Sequence, residues 1–246
     1  MDRLIYTAMT GANAAANRQA VLANNLANVS TNGFRAELST FRSVPVRGDG
    51  ATTRVMALEA TSGFSDIPGS PQRTGRAMDA MTTGNSWFGV QALDGTEAYT
   101  RNGSFEVAPD GTLKTSTGLT VLNDGGAPIT VPAGAEVTLG SDGILSAKVG
   151  KQPSTGIGRL KLATPTADDP LKRGQDGLFR TTSGEPMPND NVARVQLGVI
   201  EGSNVNAIET MVSMIQAARQ FDTQTRLMTT AEADDRSAAQ LLNMQG

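Results

Sequence analysis

The chain has 246 residues, 38% of them hydrophobic and 4% aromatic, and its formal net charge is -3. It contains no cysteine and no histidine, which excludes disulfides, Cys/His zinc sites, thiol nucleophiles and Ser-His-Asp triads. The near-neutral charge, without any basic run, argues against nucleic-acid binding, and no stretch approaches the roughly 18 apolar residues of a membrane span.

The first segment, residues 1–30, is predicted to be one long helix, from residue 2 to about residue 29. Its seam has two heptad registers: Ile5, Ala12, Gln19 and Leu26, and then Ala8, Ala15, Leu22 and Val29. Between Leu4 and Phe34 the only charged residue is Arg18, whereas a solvated helix carries many charges. Both an Ala-rich coiled-coil arm and a helix packed on several sides by other helices fit this pattern.

The amino terminus lacks the compact apolar region and the small-residue cleavage site of a secretory signal. We therefore expect that the chain is not an ordinary secretory precursor. If it works outside the cytoplasm, it must leave by a route that reads no cleaved signal.

The middle segment, residues 31–203, changes to short apolar runs separated by Gly, Pro, Asn and Asp, which predicts a mostly antiparallel β domain. The clearest element is a hairpin in which Ala98–Arg101 and Ser104–Val107 flank an Asn102-Gly103 turn of type I′. Further candidate strands are 119–122, 129–131, 137–139, 144–149, 159–163, 178–181 and 192–200.

The last segment, residues 204–246, is again predicted to be helical, with Asn204 or Asn206 as its N-cap. Its apolar positions at spacings of three and four include Ile208, Met211, Ile215 and Ala218. The predicted fold class is therefore α+β, with long terminal helices that pair as a coiled coil and a central antiparallel β domain.

Short motifs do not point to chemistry. Gly156-Ile157-Gly158 lacks the third glycine of a dinucleotide-binding loop, and the pairs Asp168-Asp169 and Asp234-Asp235 lack the pattern of a calcium loop. We predict no catalytic residue, no metal site and no cofactor. A glycoside hydrolase with paired carboxylates stays open on sequence alone, although aromatic residues for a sugar-binding cleft are scarce.

Three blocks in order carry a resemblance that covers nearly the whole chain. They are Leu22–Phe34 with the letters LANNLANVSTNGF, Tyr99–Phe105 with YTRNGSF, and Ser203–Ile215, which opens with SNVN. Together they resemble the flagellar axial family of rod, hook and hook-associated proteins. The opening MDRLIYTAM and the run from Gln220 to Met228 are most similar to the proximal-rod members, with the distal-rod members as nearest rivals. Asn85–Phe88 departs from the family, where a glycine followed by two phenylalanines is usual.

The resemblance implies a structural subunit of the basal-body rod, which spans the periplasm, and no enzymatic activity. It also implies type III export of the unfolded chain, and therefore contact with the flagellar export apparatus, followed by helical assembly with other proximal and distal rod proteins into the drive shaft and channel wall. Neither nucleic acid nor membrane insertion is expected. The residues assigned to subunit packing are Ile5, Ala8, Ala12, Ala15, Leu22, Asn24, Asn25, Leu26, Asn28, Val29, Ile208, Met211, Ile215 and Ala218, with the three asparagines as candidates for amide bonds between subunits.

Two alternatives remain beside this one. Within the family, the chain could be a distal-rod or hook subunit. From another class, it could be a coiled-coil binding module with a β head, as in adhesins and phage fibres, and that class predicts stable helices and a closed oligomer.

Overall fold

The computed structural model describes residues 2–45 and 55–243, so that Met1, residues 46–54 of the predicted middle segment and residues 244–246 of the last segment lie outside the described residues. The fold is α+β, as predicted, with one long helix near each end, α1 (Asp2–Ala27) and α2 (Ala207–Asn243). The strands between them are β1 (Glu37–Pro45), β2 (Val55–Phe64), β3 (Pro71–Arg73), β4 (Ala80–Thr82), β5 (Trp87–Gln91), β6 (Glu97–Thr100), β7 (Phe105–Val107), β8 (Leu113–Thr115), β9 (Thr120–Val121), β10 (Ala135–Leu139), β11 (Ile144–Val149), β12 (Thr155–Arg159), β13 (Leu162–Ala163), β14 (Leu171–Arg173), β15 (Phe179–Thr181), β16 (Val195–Leu197) and β17 (Val199–Glu201).

The helix ends follow local signals in the sequence. Asn206 caps α2, because its Oδ1 accepts the backbone N–H groups of Ile208 (3.1 Å) and Glu209 (3.3 Å). Glu209 adds a negative charge in the first turn, where the helix dipole favours it. These contacts confirm Asn206, rather than Asn204, as the N-cap.

The chain divides into two compact units. We call one the helical unit (Met1–Val29, Ala36–Ser65 and Val205–Gly246) and the other the β unit (Ser30–Arg35 and Asp66–Asn204). The sequence had placed the whole of residues 31–203 in one β region. The structure instead groups the stretch from Ala36 to Ser65 with the helices.

The helical unit combines α1 and α2 with a two-stranded hairpin. The two helices contact each other, and α1 also contacts β1 and β2. The hairpin is antiparallel, with a register shift between Thr40 and Phe41. Among the described residues of the helical unit, the buried apolar side chains are alanines of the two helices: Ala8, Ala12 and Ala15 of α1, and Ala217 and Ala231 of α2.

The β unit is built around one antiparallel sheet, in which the strands do not follow their order in the sequence. Its strands follow the order β14-β15-β6-β5-β9-β8-β7, and β13 pairs with the first half of β5. A smaller sheet of β10, β11 and β12 packs into the same core. That core contains Ala80, Phe88, Phe105, Leu113, Val121, Ile129, Leu139, Leu145, Leu160, Leu162 and Val195.

The predicted hairpin at Asn102-Gly103 is wrong. Strand β6 pairs with β5 and β15, and β7 pairs with β8, so that the two predicted partners do not pair with each other. Gly103 is needed for a close approach instead, since a Cβ there would lie 1.7 Å from the carbonyl oxygen of Ala80. The Asn102 side chain stabilises this path locally, because its Oδ1 accepts the N–H of Ser104 at 3.2 Å.

The other strand predictions fare unevenly. The prediction for 144–149 matches β11, whereas 192–200 is broken into β16 and β17 at Gly198, which has a φ of +67°. Residues 129–131 form only an isolated bridge, from Thr130 to Thr112.

Candidate assembly interface

The predicted seam of α1 is turned inward along its whole length. Ala8, Ala12 and Ala15 are buried, at 5%, 4% and 2% exposure. Ile5, Leu22, Leu26 and Val29 are half-buried. Of the seven apolar residues predicted here, three are therefore buried within the chain, and four, including Val29 beyond the end of α1, keep part of their surface exposed.

The inward face of α2 carries residues with heptad spacing, most of which are small. Thr210, Ala217 and Ala231 are buried, and they are separated by seven and fourteen residues. Small side chains permit close approach of the helix backbones: a Cβ added at Gly11 would lie only 3.0 Å from the side-chain Cδ of Gln224. We call Thr210, Ala217, Gln224 and Ala231 the inner stripe. The inner stripe was not predicted, because Ile208, Met211, Ile215 and Ala218 placed the predicted seam of α2 on a different register.

The α2 residues that the sequence did single out lie elsewhere. Ile208, Met211 and Ile215 are 76%, 48% and 55% exposed, and Ala218 is half-buried. Nine residues at about 100° each turn Ile208 by half a revolution from Ala217. We call the four exposed apolar residues of this face the outer stripe: Ile208, Met211, Val212 and Ile215. A helix face turned to water is normally polar, so that this stripe is an unusual apolar surface.

The three asparagines have different surroundings. The buried Asn25 donates from Nδ2 to the carbonyl oxygen of Glu37 (2.9 Å) and accepts the Glu37 N–H at Oδ1 (2.8 Å). Its amide therefore ties α1 to the start of β1 within the chain, which differs from the predicted bond between subunits. Asn28 donates to the backbone oxygen of the exposed Asn24 at 2.9 Å.

Three ionisable side chains of the β unit, those of Glu97, Tyr99 and Lys161, bond to one another in a structural cluster. Tyr99 donates its hydroxyl to Glu97 (2.5 Å) and accepts the N–H of Met187 (2.6 Å), and Lys161 lies 2.6 Å from the same carboxylate. Burial, and then the bond to Glu97, raise the pKa of Tyr99 far above its usual range. The phenol stays protonated and acts as a structural link.

The described residues provide neither a metal-binding group nor a membrane-spanning helix. Across 2–45 and 55–243, His, Cys, Asp and Glu form no group of three that could hold a metal ion. Neither helix in these ranges is both long and apolar enough to cross a membrane.

Three family models match the chain in sequence order. Residues 5–35 match the flagella basal body rod protein model, and residues 81–147 match the D1 domain of the flagellar hook protein FlgE/F/G. Residues 196–241 match the C-terminal region of the flagellar basal body rod FlgEFG proteins. The first and third models cover α1 and most of α2, and the second covers much of the β unit.

Full-length relatives agree with these matches. The chain is 44% identical to the flagellar basal-body rod protein FlgF of Salmonella typhimurium and 43% identical to that of Escherichia coli, with 99% of this chain and 100% of each relative covered. It is 30% identical to the flagellar basal-body rod protein FlgG of Bacillus subtilis, over 94% of this chain and 96% of the relative. The chain therefore belongs to the flagellar basal-body rod protein family and is a structural subunit of the bacterial flagellar rod, not an enzyme.

Proposed function

We propose that the chain is a subunit of the proximal rod and that it assembles helically with other rod proteins through the outer stripe of α2. In this assembly α1 and α2 form part of the inner tube around the export channel. The β unit forms the outer layer. The chain reaches the growing rod through the flagellar export apparatus, in an unfolded state.

The observation that carries this proposal is the outer stripe itself. Ile208, Met211, Val212 and Ile215 expose 48% to 76% of their surface on two successive turns of one helix. Fully burying one such side chain contributes about 1.5–3 kcal/mol, so that covering four of them supplies a large driving force for association. We infer that a helix of a neighbouring rod subunit covers the stripe with an apolar face of its own.

The inner stripe supports the coiled-coil part of the proposal. Its members recur every seven residues on α2, and the buried Ala8 and Ala15 of α1 are also seven residues apart. This spacing is typical of a left-handed coiled coil, in which each residue of the seam meets the partner helix at regular intervals. Within the subunit, α1 and α2 therefore pair through small side chains.

The similarity to FlgF supports the proposed position in the proximal rod. The opening residues and the run from Gln220 to Met228 resemble the proximal-rod members, and the identity to the two enterobacterial FlgF proteins, at 44% and 43%, exceeds the 30% identity to the Bacillus FlgG. The exposed side of α1 supplies further contacts. Asn24, which is exposed on α1, and the half-buried Asn28, which follows the end of α1, remain our candidates for amide bonds to a neighbouring subunit.

A charge placed on the outer stripe tests the proposal. Ile215→Asp should leave the monomer folded, because the side chain is 55% exposed, but a carboxylate buried against a neighbour costs several kcal/mol. We expect loss of motility and absence of the chain from purified basal bodies. Gln216→Asp is the matched control, since it places the same charge on the next, exposed residue outside the stripe. Normal incorporation of the Ile215→Asp protein into basal bodies would refute the role of the stripe.

A further inference from the structure

Three segments of the β unit lie next to the points at which the chain passes to the helical unit. The passages follow Val29, Arg35, Ser65 and Asn204. We call residues 30–35, 66–69 and 201–204 the crossing segments. They are bound to one another: Gly33 donates its N–H to the carbonyl oxygen of Glu201 (2.7 Å), and Asn204 donates from Nδ2 to that of Ile67 (2.8 Å).

A single carboxylate stands at the centre of these contacts. Oε1 of Glu201 lies 2.8 Å from Nη2 of Arg35 and accepts the N–H of Gly69 at 3.0 Å. Oε2 of the same side chain lies 3.4 Å from Nη1 of Arg101. Glu201 thus contacts one residue of each of the other two crossing segments, together with an arginine of the sheet.

The three charged side chains are almost completely removed from water. Their exposed fractions are 0% for Arg35, 2% for Arg101 and 1% for Glu201. Two cations therefore share one anion in the interior, where an uncompensated charge is costly. The faces of Trp87 give some further support, with the guanidinium carbons of Arg101 and Arg35 at 4.9 and 5.8 Å from its ring centre.

The remaining partners of the arginines are neutral. Arg101 donates to the hydroxyl of Thr82 (2.7 Å) and to the carbonyl oxygen of Gly84 (3.0 Å). Arg35 donates to the backbone oxygens of Asp66 (3.0 Å) and Ile67. Burial lowers the pKa of both arginines, that of Arg101 to about 10, whereas the charges of Glu201 and, to a smaller extent, Asp66 act in the opposite direction. Glu201 thus supplies the largest compensating charge, and it is the carboxylate that contacts both guanidinium groups.

We propose that Glu201 is an electrostatic lock that holds the crossing segments 30–35 and 66–69 in place on the β unit. These two segments belong to the first third of the chain, whereas Glu201 lies at the end of the last strand, β17. Docking of this strand beside β3 brings the carboxylate between the two arginines. Without that charge, Arg35 and Arg101 repel each other in the interior, and the segment that carries Arg35 opens locally. The lock concerns the monomer, so that it holds independently of the proposed mode of assembly.

Amide hydrogen exchange of the full chain tests the lock with Glu201→Gln. Glutamine keeps the size of the side chain and an oxygen for Gly69, but removes the charge. We expect exchange at Gly33 and Gly69 to accelerate on the order of 100-fold or more. Exchange at Gly89 and Leu113, whose N–H groups bond within the sheet core, should change much less. The proposal would be overturned if exchange accelerated equally at these four amides, or if it did not accelerate at any of them.

A second variant keeps the test decisive if Glu201→Gln does not fold. Adding Arg101→Met removes one of the two cations, so that the net buried charge returns to that of the unchanged chain. We expect the double variant to fold and to exchange at Gly33 within about 10-fold of the unchanged chain. If the second substitution instead adds to the damage, or if neither variant folds, packing rather than charge holds the crossing segments and the lock is refuted.

Discussion

Replacement of Asn25 by alanine distinguishes a role inside the subunit from one between subunits. Its side chain makes two hydrogen bonds to the backbone of Glu37, at 2.9 and 2.8 Å, and Asn25 is only 6% exposed. A hydrogen bond of this kind contributes about 0.5–1.5 kcal/mol, so that Asn25→Ala should lower the free energy of unfolding by about 1–3 kcal/mol. We expect a value near the lower end of this range, because Glu37 is half-buried and water can replace part of the lost hydrogen bonding.

Urea denaturation of the purified monomer, followed by the helical circular dichroism signal, measures this loss. The signal reports mainly on α1 and α2, which are the long helices of the described chain. Asn24→Ala is the control: Asn24 is the neighbouring residue and is exposed, so that we expect a change within about 0.5 kcal/mol. If Asn25→Ala unfolds at the same urea concentration as the control but fails to enter the rod, the Asn25 amide acts between subunits and our reasoning is wrong.

Two further predictions concern packing and pH. Ala15→Leu should destabilise the helical unit by about 1–3 kcal/mol through overpacking, because Ala15 is 2% exposed, whereas Ala16→Leu at the exposed neighbouring position should change its thermal midpoint little. Acid should destabilise the β unit, because hydrogen bonds from nearby side chains hold the pKa of several aspartates below its usual range. A depressed pKa in the folded state stabilises the fold above pH ~4, and this stability is lost as the pH falls through the folded-state pKa. Since the chain has no histidine, the thermal midpoint should stay nearly flat from pH 6 to 8 and fall below pH ~4, and Asp110→Asn should reduce that fall. The aspartates concerned are Asp94, Asp110, Asp169, Asp176 and Asp190.

Features of the fold with a local cause could be predicted from the sequence. Heptad spacing predicted α1 to within two residues of its end at Ala27, and the side chain of Asn206 caps α2 as its position suggested. A short run bounded by turn residues predicted β11 with its correct bounds. In each case the decisive interactions lie within a few residues of one another along the chain.

Features that depend on distant partners could not be predicted in this way. Asn102-Gly103 has the composition of a hairpin turn, but the burial of Arg101 beside Glu201 and the close approach of Gly103 to Ala80 direct the chain away from one. The hairpin of β1 and β2 was missed because its sequence lacks clear alternation. Its grouping with α1 involves contacts between residues far apart in the sequence, among them the two hydrogen bonds between Asn25 and Glu37.

The candidate interface shows the same limit at the level of one helix. The sequence identified the apolar residues of α2 but could not tell which stripe meets α1. Ala217 and Ala231 were not predicted, because the larger side chains of Ile208, Met211 and Ile215 placed the predicted seam on another face of α2. The two alanines are buried, and their small side chains allow two backbones to approach. Arg35, Arg101 and Glu201 gave no signal either, because charged residues in a sequence are usually solvated and nothing local marks them as buried.

The two stripes of α2 divide the hydrophobic driving force between folding and assembly. Each buried alanine methyl of the inner stripe contributes less than about 1 kcal/mol, whereas each of Ile208, Met211 and Ile215 can contribute about 1.5–3 kcal/mol once it is covered. The larger part of the apolar surface is therefore left for contacts outside the chain. A subunit built in this way gains most of its helix stability on joining the rod, because packing rather than intrinsic propensity stabilises long helices. We therefore expect the subunit to be held firmly only once its neighbours cover the outer stripe.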